Sequence, residues 1–121
     1  MRYFTILVVT AVALLSTLDA SGASAGRPIT QADSGKAFRL KRGGDMSLRL
    51  SNRWHWSTPR PSTKGVELTP VEYLIDPGFR EWLIHGRTSG TLSIRAYGKP
   101  NCTDCTRQAR SFRVTIVVGT S

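Results

Sequence analysis

Two alternating apolar runs between Gly90 and Val118 constrain the fold of this chain more than any other feature. Apolar side chains occupy every second position of both runs: Leu92, Ile94 and Ala96, then Phe112, Val114, Ile116 and Val118. Successive side chains of a β-strand point to opposite faces, so a period of two indicates two half-buried strands. The connection, residues 98–107, is rich in turn-forming Gly, Pro, Asn and Asp. We therefore predict a β-hairpin.

Shorter runs of the same kind predict further strands. They cover Lys36–Lys41, Met46–Leu50, Trp54–Trp56 and Glu81–His85, with β-prone pieces at Val66–Leu68 and Tyr73–Ile75. The two glycines of Arg42–Asp45 favour a hairpin turn between the first two strands, and Asp76–Gly78 favours another turn. About seven short strands separated by turns indicate an all-β fold. We expect an immunoglobulin-like antiparallel β-sandwich, with an OB-like barrel as the alternative.

The beginning of the chain has the composition of a secretory signal peptide. Arg2 supplies a positive start, the apolar run from Phe4 to Leu18 follows, and Ala23–Ala25 offers the small residues that cleavage requires. The run is shorter than the roughly 20 apolar residues that span a membrane, although an uncleaved anchor is the alternative. We expect a signal peptide at 1–25, a polar arm at 26–35 and the β-sandwich at 36–121. The mature protein would then be secreted, either periplasmic or extracellular, with no membrane span.

The chain has two cysteines, Cys102 and Cys105, in a Cys-x-x-Cys motif. A redox motif normally lies at a helix N-terminus, whereas this one lies between two predicted strands. Zinc would need two more ligands, and His55 and His85 have no ligand-like spacing. Outside the cell a disulfide is permitted, and it is useful to a small domain. We predict a structural disulfide and no cofactor, with redox and metal roles as the alternatives.

Basic residues outnumber acidic ones, which favours anionic partners. Removal of the leader takes away one basic residue, Arg2, and one acidic residue, Asp19, so the formal net charge stays at +9. Five basic residues occupy outward strand positions and are candidate anion-binding residues: Arg39, Lys41, Arg49, Arg95 and Arg113. The alternative is that they only keep the sheets soluble. An anionic polysaccharide or surface is the partner this series favours, and we expect no specific nucleic acid.

The tryptophans are divided between core and surface. We expect Trp82 in the core together with one of Trp54 and Trp56, because a buried tryptophan is common in such sandwiches. His55 should point to solvent. No Gly-x-Ser-x-Gly elbow, phosphate-binding glycine loop or carboxylate cluster is present in the sequence, and we expect no enzymatic activity.

Three segments resemble the chagasin-type inhibitors of cysteine proteases. They are Gly44–Asn52 followed by Trp54, Gly90–Tyr97 followed by Pro100, and Phe112–Val118, within a likeness that covers about 34–118. The resemblance implies an immunoglobulin-like domain in which three loops at one end of the sandwich enter the protease cleft. One family loop carries Asn-Pro-Thr-Thr-Gly, of which this chain keeps Asn52. Another carries Arg-Pro-Trp, of which it keeps Pro100.

Two functions follow from these observations. The resemblance implies an inhibitor whose partner is a papain-type protease, and we expect the protein to be a monomer. Its candidate partner-binding residues lie in the two corresponding loops: Asn52, Arg53, Trp54, His55, Trp56, Lys99, Pro100 and Arg107. The alternative is a basic extracellular adhesion or accessory module that binds an anionic polymer or surface through its outward strand faces.

Overall fold

The computed structural model describes residues 27–103 and 106–120, and in these residues two β-sheets share one apolar core. The strands, in chain order, are β1 (Ile29–Thr30), β2 (Ala37–Lys41), β3 (Asp45–Ser51), β4 (Trp54–Trp56), β5 (Arg60–Pro61), β6 (Val66–Val71), β7 (Phe79–Gly86), β8 (Gly90–Pro100) and β9 (Arg110–Gly119). A 3-10 turn occupies Gln31–Asp33. The all-β sandwich expected from the sequence is confirmed.

Each sheet is built around one long antiparallel pair. Sheet one has the order β1-β3-β7-β6, and sheet two has the order β2-β9-β8-β4, with β5 also paired to β8. The hairpin predicted between Gly90 and Val118 is confirmed as β8 and β9, with Ile94 opposite Val114. The inward positions of both strands are buried and the outward positions are largely exposed, because the period of two matches the pleat.

We expected all strands to pair antiparallel, but two of the pairs are parallel. Strand β1 runs parallel to β3, and β2 runs parallel to β9. The turn at 42–45 is present, with Gly43 at a φ of 85°, but the predicted hairpin is wrong. That turn instead carries the chain from sheet two to sheet one. The alternation in β2 fixes which side is apolar, and it leaves open which neighbour the strand pairs with.

The core collects the inward side chains of both sheets. Trp82 is buried, as the sequence predicted, and so are Ile84 and Trp56. Trp54 is half-buried against the core, and His55 is exposed. The core residues are Ile29, Phe38, Leu40, Met46, Leu48, Leu50, Trp56, Val66, Trp82, Ile84, Leu92, Ile94, Ala96, Phe112, Val114, Ile116 and Val118.

The segment expected to be a polar arm contributes to the fold where the structure describes it. Ile29 is fully buried and pairs with Leu48 at the edge of sheet one. Asp33 is buried too, and it forms ion pairs with Arg27 at 3.0 Å and Lys36 at 3.3 Å. One apolar residue among polar neighbours gives no periodic signal, so the sequence did not indicate this strand.

The region from Val66 to Ile75 differs from its prediction in two respects. Strand β6 continues through Pro70 to Val71, because β6 is the outer strand of sheet one and an edge strand tolerates a residue without an N–H group. The β-prone piece Tyr73–Ile75 is not a strand. It lies in the loop between β6 and β7.

The expected signal peptide and Cys105 lie outside the described residues, so the leader and the disulfide stay predictions. In the part of the chain that the structure describes, no helix is long and apolar enough to span a membrane.

Candidate partner-binding surface

Three loops meet at one end of the sandwich. Loop 52–53 joins β3 to β4, loop 72–78 joins β6 to β7, and loop 101–109 joins β8 to β9. Residues 104–105 of the last loop are outside the described residues. The first loop is the shortest, and it contacts both of the others. We call these loops together the three-loop surface.

Asn52 joins the first loop to the second. Its backbone N–H donates to the carbonyl of Gly78 at 3.0 Å, and its side-chain Nδ2 donates to Oδ1 of Asp76 at 2.8 Å. The same Oδ1 accepts the N–H of Gly78 at 2.8 Å, so Asp76 closes its own turn while it holds Asn52. Gly78 has a φ of 91°, a conformation that favours glycine. These bonds fix one end of loop 72–78 against loop 52–53.

Asn101 joins the first loop to the third. Its backbone N–H donates to the carbonyl of Arg53 at 3.1 Å, and its Nδ2 donates to the carbonyl of Asn52 at 3.0 Å. Arg107 Nη1 donates to the carbonyl of Arg53 at 3.4 Å and lies 3.5 Å from Sγ of Cys102. The pairing of β4 with β8 continues this contact into sheet two, with Trp54 opposite Pro100.

Trp54 lies beneath the corner at which loops 52–53 and 101–109 meet. Its indole Nε1 donates to the carbonyl of Gln108 at 3.0 Å, and its ring packs against Trp56 with 6.0 Å between centroids. The guanidinium carbons of Arg107 and Arg110 lie 5.7 and 5.3 Å from the centre of the Trp54 ring. Cations at this distance from an indole face are attracted to it. The corner is therefore aromatic inside and cationic outside.

Loop 72–78 presents two apolar side chains to solvent. Leu74 is 105% exposed and Ile75 is 82% exposed. The residue before them is anchored, because the Tyr73 hydroxyl donates to Glu81 and its ring packs edge-on against Phe79 at 5.7 Å. The residue after them is Asp76, which holds Asn52. Leu74 and Ile75 therefore project from a loop that is fixed on both sides.

Glu81 accepts the hydrogen bond that holds Tyr73 in place. Its carboxylate is buried and has a charged neighbour. It is 7% exposed, and Arg49 Nε lies 3.3 Å from its Oε1, a charge contact that lacks hydrogen-bond alignment. Burial by itself raises the pKa of Glu81, but hydrogen bonds from Tyr73 and Ser47 and the charge of Arg49 outweigh burial. The pKa therefore lies below its ordinary value. The hydrogen bond to Glu81 also raises the pKa of Tyr73.

Comparison with solved structures finds a known protein with a similar fold. The structure of the cysteine protease inhibitor EhICP2 from Entamoeba histolytica matches with a TM-score of 0.59 at 14% identity. The match covers 75% of this chain and 92% of the inhibitor. The fold is chagasin-like. The solution structure of amebosin, at a TM-score of 0.43 and 13% identity over 78% of this chain and 96% of the other, is too distant to add to that conclusion.

The comparisons by sequence give nothing further. No protein-family model matches the chain, and no curated protein sequence matches it. The chagasin-like fold therefore stands on the structural likeness.

Most of the candidate partner-binding residues lie together at the loop end of the chagasin-like fold. Residues 52–54 pair with or contact the end of β8 and loop 101–109, with His55 opposite Lys99. Trp56 is different, because it is 4% exposed and its Nε1 donates to the carbonyl of Ser51. It supports the corner from the core and is not available for contact, which corrects its place among the candidates. Sequence reasoning missed Leu74 and Ile75, since their apolar character was interpreted as a strand.

The candidate anion-binding residues do not share one face. Arg39, Lys41, Arg95 and Arg113 lie on sheet two and are exposed. Arg49 lies on sheet one, next to Glu81 and with its guanidinium 4.6 Å from the Phe79 ring. Arg49 therefore has a structural partner, and it is separate from the other basic residues.

The two histidines lie on different sheets. His55 is on β4, and His85 is on β7, where its Nδ1 lies 2.7 Å from Oδ1 of Asp45. Among residues 27–103 and 106–120, no group of three or more His, Cys, Asp or Glu side chains is placed to hold a metal ion.

Proposed function

We propose that this protein is an inhibitor of papain-type cysteine proteases and that the three-loop surface enters the protease cleft. Two findings support the proposal. The fold is similar to that of a protein described as a cysteine protease inhibitor. The loops at one end are joined by hydrogen bonds on both sides of Asn52. As an inhibitor, the protein binds its partner and catalyses no reaction.

The observation that carries this proposal is the pair Leu74 and Ile75 at the tip of an anchored loop. Burying a fully exposed leucine or isoleucine side chain contributes about 1.5–3 kcal/mol. Apolar side chains on a flexible loop would lose part of this gain to the entropy of ordering. Here Tyr73 and Asp76 already hold the loop, so little ordering remains. This combination suits a contact that must displace water from a cleft.

The remaining features of the proposal come from the sequence. The leader at 1–25 supports an exported protein that meets its protease outside the cytoplasm. A disulfide between Cys102 and Cys105 would shorten the free part of loop 101–109 and stabilise the fold by roughly 2 kcal/mol. A single chain presents all three loops, so inhibition requires no second copy of the protein.

Titration of a papain-type protease with the protein tests this function directly. We expect inhibition of peptide-substrate cleavage at or below about 1 μM, which corresponds to about 8 kcal/mol of binding. Replacing both tip residues, Leu74→Ser with Ile75→Ser, should weaken inhibition at least about tenfold, since each loses burial in the complex. Leu83→Ser is the matched control, because Leu83 is a partly exposed leucine on β7 outside the three loops.

Two results would contradict the proposal. One is the absence of inhibition at micromolar concentration by the folded protein. The other is an equal loss of inhibition in the Leu83 control and the tip variant, which would show that the tip makes no specific contact.

A further inference from the structure

Three arginines form one row across sheet two. Arg60 of β5 pairs with Arg95 of β8, and Arg95 pairs with Arg113 of β9. All three are exposed. Side chains that are directly opposite on paired strands lie on the same face. Neighbouring strands are about 4.8 Å apart, so the backbone positions of the row span about 10 Å. We call these residues the arginine row.

The charges of the arginine row are not neutralised within the described part of the protein. The ion pairs found there involve Arg27, Lys36, Arg49, His85 and Arg87, and none includes a residue of the row. Like charges directly opposite each other destabilise a sheet. A row that keeps this repulsion is suited to an anion supplied from outside, because the anion would relieve it.

The rest of sheet two has the same sign of charge. Its strands hold seven basic residues and no acidic one: Arg39, Lys41, Arg60, Arg95, Lys99, Arg110 and Arg113. The acidic residues on described strands, Asp45, Glu67 and Glu81, all belong to sheet one. Six of the seven lie at outward positions, whereas Arg110 lies at an inward position over the Trp54 ring. The outward face of the strands in sheet two is therefore positive, and a charge distribution of this kind attracts extended anions.

The surface around the arginine row is shaped as an open groove of about 980 Å³. Ser62, Ser93 and Ser111 contribute hydroxyl groups to its lining, and Tyr97 contributes an exposed aromatic ring. A guanidinium group presents a planar fork of donors that matches the oxygens of sulfate or carboxylate. The groove therefore combines donors for anionic groups with a ring on which a sugar can pack.

The pattern favours a sulfated polysaccharide over nucleic acid. Proteins that bind single-stranded nucleic acid stack successive bases on several aromatic side chains. The outward face of sheet two exposes one Phe, Tyr or Trp side chain in the described residues, which is Tyr97. We propose that the arginine row binds the sulfate groups of a linear sulfated polysaccharide that lies along this groove.

This site is separate from the three-loop surface. Arg95 precedes the end of β8 at Pro100 by five residues, or about 16 Å of extended strand. The site does not depend on inhibitory activity, and the protein can hold a polysaccharide on sheet two with its loops free.

Binding to immobilised heparin at about 0.15 M salt tests the proposal. The variant Arg60→Gln, Arg95→Gln, Arg113→Gln should bind at least about tenfold more weakly than the unchanged protein. The matched control, Arg42→Gln, Lys64→Gln, Arg87→Gln, removes the same charge from exposed turns outside sheet two and should change binding less than about threefold. Arg95→Gln alone, at the centre of the row, should weaken binding at least about threefold.

Folding and ligand class are checked in the same experiment. The triple Gln variant of the row should unfold at the same denaturant concentration as the unchanged protein or a higher one, because it loses like-charge repulsion. The proposal is overturned if the unchanged protein does not bind heparin, or if the control variant loses as much binding as the row variant. Tighter binding of single-stranded DNA or polyglutamate through the same arginines would overturn the assignment to a polysaccharide.

Discussion

The Glu81 carboxylate is buried, and its neighbours determine whether it is ionised. Tyr73 and Ser47 donate to it and Arg49 lies beside it, so the ionised form is favoured in the folded protein. A pKa that is lower in the folded than in the unfolded chain contributes stability above the unfolded value. That contribution disappears as the pH falls below the ordinary value of 4.5 and through the folded pKa.

We therefore predict that Glu81→Gln changes how stability depends on pH. At about pH 7 the variant should be destabilised by about 1–3 kcal/mol, because Arg49 loses its charged partner. Between about pH 5 and about pH 3 the unchanged protein should lose more stability than the variant does. Urea unfolding at a series of pH values measures both effects.

Glu67→Gln is the control for this experiment. Glu67 is an exposed carboxylate on β6 whose contact with Arg87 is 3.9 Å long, so its removal should cost less than about 0.5 kcal/mol. If the two variants showed the same pH dependence, Glu81 would not have the role assigned to it.

For single residues, the sequence indicates which side chains are apolar but not always whether they are buried or exposed. Leu74 and Ile75 are as apolar as the core residues, and they are the most exposed large apolar side chains in the described residues. Their position depends on Tyr73 contacting Glu81, eight residues away along the chain. A contact between a loop and a neighbouring strand leaves no periodic pattern, so it could not be read from the sequence.

The short strand β4 and the end of β8 show how one element can determine the shape of a site. Gly98 faces Trp56 across this pair. A Cβ atom placed on Gly98 would lie 2.9 Å from the Trp56 ring and 3.0 Å from Cβ of Trp54. The first distance is shorter than real Cβ contacts and the second is at their lower limit, so a larger residue at position 98 would require the tryptophans to shift.

We predict that Gly98→Ala destabilises the protein by about 1–3 kcal/mol, because the rigid indole rings must move to admit the methyl group. Denaturant unfolding measures the loss, and near-ultraviolet circular dichroism should report the changed packing of Trp54 and Trp56. Gly119→Ala, on β9 of the same sheet, has open space around the new methyl group and should change stability by less than about 0.5 kcal/mol. Equal stability of the two variants would contradict this account of Gly98.

The positions of the strands were predicted more successfully than the pairing between them. Alternation located β2, β3, β7, β8 and β9, because each has one face in the core. It did not show that β2 lies parallel to β9, since that pairing joins strands from opposite ends of the chain. The alternation also does not indicate strand β5, because it is only two residues long and positions 59 and 61 are prolines, which cannot donate a ladder hydrogen bond. Arg60 nevertheless pairs with Arg95.

The whole molecule presents two different surfaces. One end carries the three loops, with an apolar tip and a cationic aromatic corner. The outward face of sheet two carries the arginine row. The sequence identified residues of both, through the likeness to chagasin-type inhibitors and through the outward basic series. It could not show that loop 72–78 adjoins Asn52, nor that Arg60 completes the row, because both depend on how the strands are assembled.

The central claim is that the three loops act as one binding surface for a protease. Amide hydrogen exchange, measured on the free protein and on its mixture with a papain-type protease, tests it most directly. We expect exchange in loops 52–53, 72–78 and 101–109 to slow at least about tenfold in the complex, and exchange in β2 and β5 to stay unchanged. Slower exchange on the outward face of sheet two with unchanged loops, or no change anywhere, would contradict the claim.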